Sequence, residues 1–189
     1  YLADGISCKQ CGAGQYSTEG VSCVSCAEGH YSDKQGAEAQ SACVPCPGNT
    51  STGTATGVAT LSGCLPDAGY TGDYNSPEPC LPGTYKEVVG TKACTTCVAG
   101  KASAGRAQSS SSGCTSCGSG QYSGSGAPSC TPCPAGSYCP TTEAAPIPCA
   151  KGWMSLYNHS DSEFNASSML ACSECPAGSF CPARDAAPQ

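Results

Sequence analysis

Large apolar side chains are scarce in this sequence. Two Phe, one Trp and two Met occur in 189 residues, and much of the 39% hydrophobic fraction is Ala and Cys. These small side chains bury little apolar area each, so a single large hydrophobic core is excluded as the main source of stability. Covalent cross-links are therefore expected to supply the order that packing does not.

Positive charge and long apolar runs are also scarce. The sequence has eight Lys and Arg but fourteen Asp and Glu, and the basic residues form no stripe. We expect no nucleic-acid partner, because such binding needs cations that neutralise phosphates. No apolar run approaches the length of a membrane span, so we expect no direct membrane insertion of this segment. The sequence begins with neither Met nor a signal peptide, and we expect it to be a piece of a longer protein.

Cysteine, glycine and proline are abundant instead. The sequence has 19 Cys, 24 Gly and 15 Pro. Roughly one cysteine in ten residues is typical of a disulfide scaffold. Because disulfides persist in oxidising compartments, the chain is predicted to be extracellular or at a cell surface.

Fourteen of the cysteines form seven C-x-x-C pairs, and the second cysteine of each pair opens a recurring pattern. Gly follows three residues later in stretches such as "CGAGQYS" and "CAEGHYS", and Tyr or Phe often follows two further on. Such a Gly suits a turn with positive φ, and the aromatic ring is expected to lie over a disulfide as a small core. At Cys46 the pattern departs, since Gly48 comes one residue early.

No stretch has helical periodicity, and alternating runs are too short for more than small ribbons. The predicted fold is therefore small and disulfide-rich, an elongated tandem array of short Cys-rich loops with minimal β-ribbon and almost no helix. The predicted regular repeats are 11–25, 26–45, 80–96, 97–116, 117–132, 133–148 and 149–174, of which 133–148 has a small inner loop and 149–174 a long insert. Residues 46–79 combine a repeat with a degenerate repeat that lacks one disulfide. The ends, 1–10 and 175–189, are truncated repeats.

The signature C-x-x-C-x-x-G-x-Y-S resembles the ephrin-receptor-like cysteine-rich repeat. It is also similar to the first loop of tumour-necrosis-factor-receptor modules and, more loosely, to EGF-like repeats. The resemblance covers essentially the whole chain. It implies a rod-like extracellular array of the kind found in large surface proteins.

Two disulfide arrangements are compatible with the cysteine spacing, which alone does not determine the pairing. A crossed arrangement would join Cys8 to Cys23 and Cys11 to Cys26. A serial arrangement closes each loop with the first cysteine of the next pair, and the single C-x-x-C in each repeat favours it. The serial pairs are Cys11–Cys23, Cys26–Cys43, Cys46–Cys64, Cys80–Cys94, Cys97–Cys114, Cys117–Cys130 and Cys149–Cys172.

The cysteines that lie outside the C-x-x-C pairs also fit the serial arrangement. Cys64 and Cys80 each lack a neighbouring cysteine, and a regular array would carry one near Pro66 or Asp67 and another at Pro77. Those two would have been bonded to each other, so one whole disulfide is missing. The stretches "CPAGSYC" and "CPAGSFC" predict small loops closed by Cys133–Cys139 and Cys175–Cys181. Cys8 is then the one cysteine without a partner, and we expect it to bond to a cysteine upstream of this sequence.

Other motifs indicate glycosylation rather than metal binding or catalysis. Asn49, Asn158 and Asn165 begin N-glycosylation sequons. Ser/Thr-rich stretches such as Ser109 to Ser112 either carry O-linked sugar or are simply flexible loop, and for Ser109 to Ser112 a flexible loop is the favoured interpretation. The unbroken recurrence of C-x-x-C disfavours a zinc site, and neither histidine has partners for catalysis. We expect no cofactor, no metal and no enzymatic activity.

One loop carries an apolar cluster, formed by Trp153, Met154, Leu156 and Tyr157. It is either a private core of that loop or a contact patch. The primary prediction is a structural extracellular glycoprotein, a rod in a filament, flagellar hair or coat, whose partners are other subunits or repeats of the same assembly. The alternatives are a ligand-binding receptor or adhesion ectodomain and a non-catalytic arm of a secreted enzyme.

Overall fold

The computed structural model describes residues 2–3, 8–18, 22–134, 136–155 and 172–175. Within them, regular structure consists of ten two-stranded antiparallel sheets and three 3-10 turns, Gln40–Ala42, Leu61–Gly63 and Ser111–Gly113. This confirms a disulfide-rich fold with short hairpins and almost no helix. The hairpins are β1 (Leu2–Ala3) with β2 (Cys8–Lys9), β3 (Gln15–Thr18) with β4 (Ser22–Ser25), β5 (His30–Tyr31) with β6 (Val44–Pro45), β7 (Thr50–Ser51) with β8 (Leu65–Pro66), β9 (Tyr70–Gly72) with β10 (Pro77–Pro79), β11 (Thr84–Tyr85) with β12 (Thr95–Thr96), β13 (Lys101–Ala102) with β14 (Thr115–Ser116), β15 (Gln121–Tyr122) with β16 (Thr131–Pro132), β17 (Ser137–Tyr138) with β18 (Ile147–Pro148), and β19 (Trp153–Ser155) with β20 (Cys172–Glu174).

The chain divides into two compact units that take alternating segments. The first unit comprises Tyr1–Cys80, Lys86–Cys94 and Ala107–Ser110, and the second comprises Leu81–Tyr85, Thr95–Arg106 and Ser111–Gln189. Both units are built from the same kind of loop, and each loop is named after the cysteine that opens it. The predicted repeat boundaries remain predictions.

The Cys11 loop illustrates how the sequence forms one loop. A turn at Gly14, with φ of 78°, leads into β3, and β4 returns antiparallel to it. Ser17 pairs with Cys23 across the hairpin, and the Cys11–Cys23 disulfide closes the loop with a Cα–Cα distance of 5.6 Å. Closing a loop of this size stabilises the fold by roughly 3 kcal/mol in chain-entropy terms, which two short strands could not supply alone.

Eight disulfides join the described cysteines, and all eight are pairs that the sequence predicts. Cys175 is also disulfide-bonded, and its expected partner Cys181 lies outside the described residues. An upstream partner for Cys8 remains a prediction. The eight bonds are Cys11–Cys23, Cys26–Cys43, Cys46–Cys64, Cys80–Cys94, Cys97–Cys114, Cys117–Cys130, Cys133–Cys139 and Cys149–Cys172.

Cystines, rather than aromatic rings, form the buried interior of the loops. Cys26, Cys64 and Cys133 are fully buried. Tyr122 packs against the Cys133–Cys139 disulfide, as expected for a repeat aromatic. The rings at the equivalent positions of five loops, Tyr16, Tyr31, Tyr85, Tyr122 and Tyr138, are nevertheless only half-buried.

Backbone hydrogen bonds connect each loop to the next in the same way. In the first unit, the N–H of Cys26 donates to the carbonyl of Gly14 and the N–H of Cys46 to that of Gly29, both at 2.8 Å. In the second unit, the N–H of Cys117 donates to the carbonyl of Gly100, also at 2.8 Å. The glycine turn of one loop therefore holds the opening cysteine of the following loop.

Candidate functional site

The sixth residue after each opening cysteine is buried in loop after loop. It is a small hydroxyl residue in five of them, and Ser32, for example, is only 1% exposed. Its backbone N–H donates to a carbonyl of the following loop, as from Ser32 to Val58 at 3.0 Å. The signature C-x-x-C-x-x-G-x-Y-S contains this serine, but its spacing alone does not predict that the residue is buried. The hydroxyl residues are Ser17, Ser32, Thr52, Ser103 and Ser123.

The degenerate stretch, residues 66–79, keeps the backbone of a loop without its disulfide. The N–H of Asp67 donates to Asn49, as an opening cysteine would, whereas the carbonyl of Pro66 accepts from Gly90. Two residues thus share the role of one cysteine, because the turn glycine Gly69 follows Asp67 by two residues, whereas Gly14 follows Cys11 by three. Pro66 is fully buried, and Pro77 pairs with Gly72 where a closing cysteine would stand.

Lys86 occupies the sixth position of the next loop, the Cys80 loop, where five other loops have a small hydroxyl residue. Its side chain is only 3% exposed. Nζ donates to the carbonyl oxygens of Pro66 at 3.2 Å and Asp67 at 3.3 Å, and also to those of Tyr70 and Gly90. Burial lowers the pKa of Lys86, and the nearby Asp67 carboxylate acts in the opposite direction.

The Cys133 loop carries its closing cysteine on the other strand of its hairpin. Tyr138 pairs with Ile147, so the next pair in the register places Cys139 opposite Pro146. In the Cys11 loop the residue in the place of Pro146 is the closing cysteine, Cys23, which pairs with Ser17. The cysteine has therefore moved across the ribbon to the sixth position, which explains why Cys149 lacks a C-x-x-C partner.

An open cleft lies between the Cys11 and Cys26 loops in the first unit. Its volume is about 500 Å³. Val24 is 37% exposed on its edge, and His30 Nδ1 donates to the carbonyl of Glu28 at 3.0 Å. The cleft combines two rings, an aliphatic side chain, several hydroxyl groups and one amide, a mixture suited to a polypeptide rather than to a small apolar ligand. It is lined by Tyr16, Val24, Ser25, Ala27, His30, Gln40, Ser41 and Cys43.

The sequon residue Asn49 lies at an exposed turn. It has φ of 62°, so it takes the left-handed position that glycine fills in other loops, and the interval of three residues after Cys46 is kept. The early Gly48 therefore changes the sequence pattern without changing the turn. Asn158 and Asn165 lie outside the described residues.

The predicted contact patch is described only in part. Trp153 is 40% exposed in β19, where it pairs with Glu174. Met154 follows in the same strand, and Leu156 and Tyr157 lie outside the described residues. The structure therefore shows one exposed member of the cluster.

In the described part of the chain, no group of three or more His, Cys, Asp or Glu side chains is placed to hold a metal ion. Among the same residues, no helix has the length and apolar character that crossing a bilayer requires.

Comparison with known families identifies one segment of the chain. Residues 14–60 match the family model described as tyrosine-protein kinase ephrin type A/B receptor-like. No curated protein matches the chain. The matched segment contains the turn of the Cys11 loop and the whole of the Cys26 loop, so it includes every residue that lines the cleft. The match and the many disulfides support a cysteine-rich repeat of a receptor-like, disulfide-rich class and point to an extracellular location.

Proposed function

We propose that the chain is part of an extracellular receptor-like ectodomain whose disulfide-linked loops bind another protein. The observation that carries this proposal is the position of the cleft inside the segment that matches the receptor-like family, residues 14–60. This favours the ectodomain over the filament that the sequence first indicated. The loops act as a scaffold, and the chain has no enzymatic role.

The rigidity of the cleft supports a binding role. Both loops that line it are closed by disulfides, Cys11–Cys23 and Cys26–Cys43. A bridge between Tyr16 and Ala37 joins the two loops directly, and Gly14 donates to Ser32 at 2.7 Å. A surface held in this way loses little conformational entropy when a partner binds.

A cell-binding experiment tests the proposal. The secreted chain, fused to a reporter, is titrated onto cells of the source organism, and saturable binding is expected. Val24→Arg should weaken it about tenfold or more because it adds a long charged side chain at the edge of the cleft. Val98→Arg is the control, since Val98 is 63% exposed and does not line the cleft. Absence of saturable binding, or equal effects of the two variants, would contradict the proposal.

The second candidate is a structural segment of a surface filament or coat. The recurrence of one inter-loop bond, from an opening cysteine to the preceding turn glycine, favours it, because such an array extends by adding loops. Its partners would be other subunits or repeats of the same assembly. Electron microscopy of the native material distinguishes the candidates, since fibres containing this chain would support the filament.

A further inference from the structure

We propose that the Lys86 ammonium replaces the disulfide that the degenerate stretch has lost, as a tethered cation in a cage of backbone carbonyls. Two facts have to be explained together. The stretch from Pro66 to Pro79 keeps its hairpin and its inter-loop hydrogen bonds without a cystine. The loop that follows it buries a lysine where other loops bury a Ser or Thr.

The position of Lys86 is the first argument. The sixth residue of a loop lies against the preceding loop, as the bond from Gly14 to the Ser32 carbonyl shows. The equivalent bond runs from Gly69 to the carbonyl of Lys86 at 2.8 Å, so Lys86 lies against the degenerate stretch. A long side chain thus occurs at the loop whose preceding neighbour lacks a cystine.

The contacts of the ammonium are the second argument. Three of its four carbonyl partners, Pro66, Asp67 and Tyr70, belong to the opening turn of the degenerate stretch. The fourth, Gly90, belongs to the Cys80 loop, and its N–H donates to the Pro66 carbonyl at 2.9 Å. The ammonium therefore holds the two loops together at the residue that stands in place of the missing opening cysteine.

The chemistry of the group is the third argument. Burial lowers the pKa of Lys86, while the Asp67 carboxylate acts in the opposite direction. The gain lies in the donors that the ammonium supplies to the carbonyl oxygens of Tyr70 and Gly90, because those of Pro66 and Asp67 also accept from the N–H groups of Gly90 and Tyr70. A compact ammonium can direct its three N–H groups at oxygens gathered around a point, with one N–H shared between two carbonyls, whereas the planar fork of an arginine cannot.

A pair of backgrounds tests whether Lys86 and a disulfide are interchangeable. In the native sequence, Lys86→Ser should raise amide exchange in residues 64–94 about tenfold or more and lower the temperature of unfolding. In a Pro66→Cys/Pro77→Cys background, in which the stretch regains its cystine, Lys86→Ser should have little effect, since a cystine with a serine is the arrangement of other loops. Lys92→Ser, at an exposed lysine, is the control for both. Equal effects of Lys86→Ser in the two backgrounds, or an effect as small as that of Lys92→Ser, would overturn the proposal.

A labelling experiment on the unmodified protein tests the cage even if the variants fail to fold. An amine-acylating reagent is added to the native chain, and modification of each lysine is followed by mass spectrometry. Lys86 should react about tenfold or more slowly than the exposed Lys92, and the two rates should converge after reduction and denaturation. Equal rates in the native chain would show that the ammonium is not enclosed.

Discussion

Gly83 lies directly against the carbonyl of Gly126, so that a Cβ added to Gly83 would stand 2.0 Å from that oxygen. Gly83 belongs to the Cys80 loop and Gly126 to the Cys117 loop, two loops further along the chain. In the first unit, a Cβ on Gly14 would similarly stand 2.1 Å from the carbonyl oxygen of Gly57. A loop can therefore contact the next-but-one loop as well as its neighbour, and turn glycines make that close approach possible.

This contact predicts that Gly83→Ala destabilises the chain by about 3 kcal/mol or more. The added methyl group would collide with backbone atoms, and an alanine would also be strained at the left-handed φ of this position. Gly29→Ala is a matched control, since Gly29 has φ of 72° but no atom within 4 Å of the added Cβ. It should cost about 1–2 kcal/mol from φ alone. Thermal unfolding of the oxidised proteins measures both losses, and equal losses would show that the close approach does not matter.

The eight disulfide pairs are visible in the sequence because the information that sets them is local. Each closing cysteine lies 12 to 23 residues after its partner in the seven serial pairs, and one spacing rule covers them. The turn at Gly14 is likewise a local requirement for positive φ. Such features repeat along the chain, so the repetition itself reveals them.

Contacts between loops are less visible in the sequence. Serine is usually a surface residue, and Ser32 is buried only because a neighbouring loop covers it. The spacing of the cysteines does not predict that contact. Lys86 is the extreme example, because a lysine within "TYKEVV" gives no sign of enclosure. The half-burial of Tyr16 has the same origin, since backbone and small residues such as the turn glycines make the close approaches between these loops.

The buried hydroxyls predict opposite effects of two similar substitutions. Thr52 Oγ1 accepts from the N–H of Gly29 at 2.8 Å and donates to the carbonyl of Ala55 at 2.7 Å. Thr52→Ala should therefore cost about 1–3 kcal/mol, because a donor and an acceptor lose their partner. Ser32 Oγ is buried with no partner among the described residues, so Ser32→Ala should be neutral or slightly stabilising. Thermal unfolding separates the two, and a larger loss for Ser32→Ala would contradict this hydrogen-bond assignment.

The exposed turn at Asn49 predicts that its sequon is glycosylated. Asn49→Gly should remove one N-glycan without loss of stability, because glycine fills this left-handed position in other loops. Ser51→Ala should remove the same glycan while keeping the asparagine. Mass spectrometry before and after enzymatic deglycosylation measures occupancy in secreted protein. An unmodified Asn49 in the secreted chain would refute the prediction.

The serial disulfides predict a characteristic peptide map and a dependence on oxidation. Non-reducing digestion should yield Cys11 linked to Cys23 and Cys133 linked to Cys139. Reduction should unfold the chain, because several links of roughly 3 kcal/mol each are lost together. Chelators should leave it unchanged, since no metal is proposed. A peptide linking Cys11 to Cys26 would refute the serial arrangement, and unfolding by EDTA would restore the case for zinc.

The exposed ring of Trp153 predicts a role in self-association. Trp153 is 40% exposed in a two-stranded ribbon, and a large aromatic side chain in this state is a typical interface anchor. Trp153→Ser should therefore weaken association of the chain with itself, as measured by sedimentation at increasing concentration, while its disulfide map stays unchanged. Leu81→Ser is the control, because Leu81 is 57% exposed and lies outside the apolar cluster that contains Trp153. If both variants associate like the original chain, the ring belongs to the private core of its own loop. That outcome would also remove support for the filament, because the sequence offers no larger apolar cluster through which lateral contacts could form.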